Sequence, residues 1–117
     1  MDKSILRDKS FKFALRTIKL SKYLQNTHKE YILSKQILRS GTSVGALVRE
    51  AQYAQSKADF LHKLTIALKE ANETEYWLLL LFESDYLDEK MFNSIHPEIK
   101  ELLKLLISST KTVKAYK

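Results

Sequence analysis

The chain has 117 residues, 44% hydrophobic and 29% charged, with two Gly, one Pro and no Cys. So little Gly and Pro argues against sandwiches, barrels and Gly-rich nucleotide-binding folds, and the lack of Cys excludes disulfide frameworks, zinc fingers and thiol catalysis. Twenty Lys and Arg against fourteen Asp and Glu give a net +6, a balance suited to nucleic acid or an anionic surface. The length fits one domain, residues 1–117, with enough chain for a core without staples.

The opening Met1-Asp-Lys-Ser-Ile-Leu-Arg7 has no apolar run of signal-peptide length. The longest apolar run, Tyr76 to Phe82, is far below the roughly 20 residues needed to span a bilayer. A cytoplasmic protein with no membrane partner is the expectation.

In chain order, the apolar spacing first predicts a helix over residues 8–27. Phe11, Ala14, Leu15 and Ile18 form one stripe on it, and Phe13, Leu20 and Leu24 form a second on nearly the opposite side. A second helix over residues 31–55 carries Leu33, Ile37, Val44, Leu47, Ala51 and Ala54 on one face. Gly41 and Gly45 lie four apart within it. They mark either a close helix–helix approach or a break, and the register surviving across them favours a continuous helix. Ser40, Thr42 and Ser43 beside Gly41 read as an anion site or as tight packing.

Ser56 followed by Asp59 resembles a capping box, opening a third helix over residues 57–84. Its core face is Phe60, Leu64, Ala67, Leu68, Ala71, Leu78 and Leu81. Asp88 caps a fourth helix with apolar positions from Met91 to Val113. Pro97 falls inside that pattern and is expected to kink it or divide off a leading turn. Lys111, Lys114 and Lys117 suit the negative end of its dipole. Short polar turns between four helices imply an all-α, antiparallel up-down-up-down four-helix bundle.

The apolar residues exceed what one core needs. Some of Phe13, Leu20, Leu24, Ile66, Trp77 and Leu80 are therefore expected to stay outside and form an oligomer interface. The other reading is a wide core arc with a few tolerated surface apolars.

Residues 1–39 hold ten Lys/Arg and three Asp/Glu, a net +7. There Lys9, Lys12, Arg16 and Lys19 share one helix face, and Tyr23 continues it. Such a stripe suits a phosphate backbone with a base stacked beside it; an ordinary solvated face is the competing reading. Arg7, Lys22 and Lys35 extend the basic surface.

Glu70, Glu73 and Glu75 recur in the third helix, but a di-metal bundle needs paired Glu-x-x-His units, which this sequence lacks. No metal site is expected. Glu75 is expected to face the core and pair with Arg49 or Arg39. His28, His62 and His96 fall near predicted helix ends or turns. With Ser and acids they form no recognisable nucleophile system, so neither catalysis nor a cofactor is expected.

The strings Leu33-Ser-Lys-Gln-Ile-Leu-Arg-Ser-Gly-Thr-Ser-Val-Gly45, Arg49-Glu-Ala-Gln52, Ser56 to Leu64 and Ala67 to Leu78 resemble the four-helix-bundle protein family. That family is also called the S23 or 23S rRNA intervening-sequence protein family. The opening Asp8 to Arg16 is similar too, so the resemblance covers essentially the whole chain. It implies a ring-like homopentamer and a relation to the accessory protein of diversity-generating retroelements, a basic barrel that engages a reverse transcriptase and RNA. It does not imply a true ribosomal subunit, and it supplies no catalytic residues. Gly41, Gly45, Asn72 and Glu75 read as packing and assembly determinants. The leading reading is a non-enzymatic homo-oligomer that binds RNA or an RNA-bound protein through basic helix faces. The alternative is a protein-interaction scaffold without nucleic-acid contact.

Overall fold

Helix starts follow from local hydrogen bonding. The Ser56 hydroxyl accepts the Asp59 amide at 3.0 Å, and Asp88 Oδ1 accepts the Met91 amide at 2.7 Å, as the capping pattern predicts. Glu30 supplies the cap that the sequence pattern had not indicated, its carboxylate accepting the amides of Ile32 (3.3 Å) and Ser34 (2.8 Å). In the computed structural model, which describes residues 3–115, four helices result: α1 Lys3–His28, α2 Leu33–Gln52, α3 Lys57–Glu83 and α4 Glu89–Ala115. α1 begins a turn earlier than its apolar stripe suggests because Leu6 is already core. Lys117, expected at the end of the fourth helix, lies outside the described residues, as do Met1 and Asp2; Lys111 and Lys114 stand exposed in the last turns. No helix among the described residues is long and apolar enough to cross a membrane.

Two helices end through a residue in the left-handed region, Lys29 (φ 54°) after α1 and Asp85 (φ 67°) after α3. The Glu30 amide donates back to the Leu24 carbonyl at 3.1 Å, and the Tyr86 amide to the Leu81 carbonyl at 2.9 Å. Glycine usually takes such positions, but both glycines of this chain lie within α2.

There they admit a close approach of α1. A Cβ on Gly41 would sit 2.6 Å from the Thr17 side chain, and one on Gly45 would sit 3.2 Å from the Ser10 carbonyl. α2 is continuous through both, so they mark an approach to α1 and not a break. The hydroxyls beside them serve packing: Thr42 and Ser43 donate to carbonyls one turn back, and Ser40 accepts from Thr74 across to α3 at 2.9 Å.

Each helix packs on its sequence neighbours, and α1 meets α4 along the sparsest seam, closing an up-down-up-down bundle of 47 × 21 × 19 Å. The choice of stripe on α1 differs from expectation. Phe13 (1% exposed), Leu20 and Leu24 are core, so they form no outer patch. The other stripe, Phe11, Leu15 and Ile18, is the exposed one. The inward side is the one where the α2 glycines admit α1: the Thr17 side chain lies against Gly41 and the Ser10 backbone against Gly45.

α4 runs unbroken through Pro97, so no leading turn is divided off. The ring lies on the exposed side of the helix. Proline removes the amide that would bond Asn93's carbonyl and crowds the turn before it. At that turn the Arg16 guanidinium, from α1, donates to the Ser94 carbonyl (3.0 Å), to Ser94 Oγ (2.9 Å) and to Glu98.

Candidate functional site

The basic stripe on α1 is divided by α4. Lys9 pairs with Glu101 at 3.1 Å, and Arg16 is engaged by Ser94 and Glu98. Tyr23 is held at the top of the bundle, where its hydroxyl meets His28 Nε2 at 3.2 Å and the rings stand edge-on. Lys9 and Arg16 thus brace α1 against α4, while Tyr23 is tied within α1. Lys12 and Lys19 remain exposed and in no ion pair among the described residues. The acidic partners lie far along the chain, 82 residues away for Arg16 and Glu98 and further still for Lys9 and Glu101, beyond the reach of local spacing.

Beside the stripe, α1 and α2 enclose a groove of about 540 Å³ whose floor includes Gly45. Phe11 (62% exposed) and Tyr53 (76% exposed) line it together with Arg7, Lys12 and Arg49. Arg7 lies 3.6 Å from Asp8, while Arg49 stands exposed, in no ion pair among the described residues. Tyr53 and the exposure of Arg49 went unremarked in the sequence reading. The usable signal was an aromatic directly after the second helix, one turn beyond a cation. A second groove between α1 and α4 is more apolar, with Lys19 and Lys90 at its rim and Leu20, Leu87 and Ile95 within.

Glu75 takes partners other than those expected. It faces α4, with His96 Nε2 at 2.9 Å and Lys100 at 3.9 Å. His96 in turn stacks on Phe92, which stacks on Phe82. Arg39 instead binds two other carboxylates of α3, Glu70 at 3.2 Å and Glu73 at 2.7 Å, and Trp77 Nε1 donates to the same Glu73 oxygen. Burial pushes the Glu73 carboxyl upward, but the bonds from Arg39 and Trp77 outweigh it and hold Glu73 below the usual carboxylate range. The two carboxylates raise Arg39 in the same way. Asn72 lies exposed on α3, outside the core.

Ile66, Trp77 and Leu80 are half-buried along α3. The more open apolar side chains on that helix are Tyr76 and Leu79. α1 and α3 are diagonal across the bundle, with no close backbone approach between them among the described residues. The molecule therefore carries apolar faces on opposite sides.

A family model described as 23S rRNA-intervening sequence protein matches residues 2–108. Among solved structures, the chain is similar to a protein with unknown function from the S23 ribosomal protein family of Bacteroides thetaiotaomicron VPI-5482. The two are 55% identical with a TM-score of 0.92, over 95% of this chain and 99% of that one. Among curated proteins there was no match.

Proposed function

Since the chain belongs to the 23S rRNA-intervening sequence protein family, we propose that it is a non-enzymatic homo-oligomeric bundle, pentameric as the resemblance implies, that binds RNA in the cytoplasm through basic helix faces. One observation carries this reading. After the ion pairs of Lys9, Arg16 and Arg39 are taken out, Lys12, Lys19, Lys22 and Lys35 still stand exposed on α1 and the start of α2. Cations held in no ion pair bind phosphates at the least cost, and repetition around an assembly adds avidity to weak single contacts.

The apolar faces of α1 and α3 support assembly. Leu15 and Ile18 point away from the core on one side, and Tyr76 and Leu79 do so on the diagonal helix.

RNA affinity followed by fluorescence anisotropy is expected to fall linearly, log against log, with salt. Charge reversal at Lys12 and Lys19 should lower both the affinity and the slope, whereas Lys9→Glu should act mainly on stability. RNA binding left intact by reversal at Lys12 and Lys19 would overturn the role of this surface. A monomer at micromolar concentration in a solution mass measurement would overturn the assembly.

A further inference from the structure

Resting on the RNA reading above, we infer that the groove between α1 and α2 is a stacking site for single-stranded RNA. Phe11 and Tyr53 serve as the base platforms, and Lys12 and Arg49 meet the phosphates. Two of the most exposed aromatic rings in the bundle line one groove, at 62% and 76% exposure. Scattered surface aromatics need no explanation, but two in one concavity with three cations form a combined surface. Arg7, Lys12 and Arg49 there outnumber the single acid, Asp8. Arg49 and Lys12 are in no ion pair among the described residues, so no carboxylate has to be displaced before a phosphate binds them.

Small residues clear the space between the rings. Gly45, Ala14 and Ala46 line the groove and leave its floor shallow in side chains. Gly45 cannot gain a side chain freely, because a Cβ would sit 3.2 Å from the Ser10 carbonyl.

The chemistry selects single strands over duplex. Exposed ring faces accept unstacked bases, whereas an A-form duplex keeps its bases inside and presents phosphates and 2′-hydroxyls. The groove between α1 and α4 is the weaker candidate, since its Arg16 is engaged by α4 and its Tyr23 by His28.

The test compares a short fluorescein-labelled oligouridine with an RNA duplex of the same length, using the full chain. Phe11→Ala and Tyr53→Ala are each expected to weaken oligouridine binding by about tenfold, with little change on the duplex. Their salt slope should match the wild type, because no cation is removed. Arg49→Gln should weaken both RNAs and lower the slope by about one. Both rings are largely exposed, so melting temperature should hold. Phe11 shares its stripe with Leu15, so assembly mass measured alongside must also stay unchanged for a loss of binding to count as lost stacking. The site is overturned if the Phe11→Ala/Tyr53→Ala double variant binds oligouridine as the wild type does, or loses both RNAs equally. If the wild type binds neither RNA even at low salt, the broader RNA reading falls and takes the site with it.

Discussion

Gly41 lies against a side chain that has nowhere to go. Thr17 is fully buried, its hydroxyl donates to the Phe13 carbonyl at 2.9 Å, and a β-branched residue in a helix has little χ1 freedom. A Cβ at 2.6 Å from both Thr17 Oγ1 and Cγ2 must push α1 and α2 apart. Overpacking of that kind costs about 1–3 kcal/mol, against which the gain in helix propensity over Gly recovers roughly 1 kcal/mol. Gly41→Ala is therefore expected to lower the melting temperature. Thr17→Ala in the same chain should restore much of the loss, and strict additivity of the two changes would refute direct contact. Gly45→Ala should be milder, since its contact at 3.2 Å is tight but not overlapping. The close approach was legible in the four-residue glycine spacing. The partner was not, because nothing local in the sequence links Gly41 to Thr17, 24 positions earlier.

α4 shows what a helix needs when its interior contains proline. An interior proline costs about 3 kcal/mol, yet the helix runs on through Pro97. The Arg16 fork supplies donors to Ser94 and Glu98, on either side of the ring, and does so across the seam where α1 and α4 pack least. An exposed ion pair alone contributes little, but a charge-assisted bond to a backbone carbonyl adds more, so Arg16→Ala should cost about 1–2 kcal/mol. A Pro97→Ala change returns an amide to the Asn93 carbonyl and relieves the ring's crowding. The Ser94 carbonyl can then bond more fully within the helix, and the same Arg16→Ala change should cost measurably less. Chemical denaturation of the four variants reads this coupling; equal costs in both backgrounds would reduce Arg16 to an ordinary surface pair. The helix boundaries were legible because capping is local, as at Ser56 and Asp88. Roles of Arg16 and Glu75 were not, since each is settled by the neighbouring helix that its face meets: Glu75 meets His96 of α4, while Arg39 of α2 meets Glu70 and Glu73.

For the whole molecule, the surplus of apolar residues was legible, but its direction was not. α1 carries two stripes at equally good helical spacing, and the one with Phe13 lies on the side where the Thr17 side chain and the Ser10 backbone meet the α2 glycines, which leaves Leu15 outward. With α1 and α3 diagonal, the outward faces point away from each other, so two copies joined by the α1 face of one and the α3 face of the next leave a free face at each end. Such a head-to-tail contact continues until it closes into a ring, unlike a two-fold contact that stops at a dimer. Leu15→Arg should disable one face and Leu79→Arg the other; each is exposed enough for arginine without disturbing the core (47% and 42%). Either variant alone should therefore lose the proposed assembly. Mixed at equal amounts and raised concentration, they should form a single dimer, pairing the intact α3 face of Leu15→Arg with the intact α1 face of Leu79→Arg. A mass measurement of the mixture decides between arrangements. If each face met only its own kind, one contact would survive in each variant, and mixing would yield no mixed dimer. That result would rule out the head-to-tail ring while leaving the bundle and its RNA groove untouched.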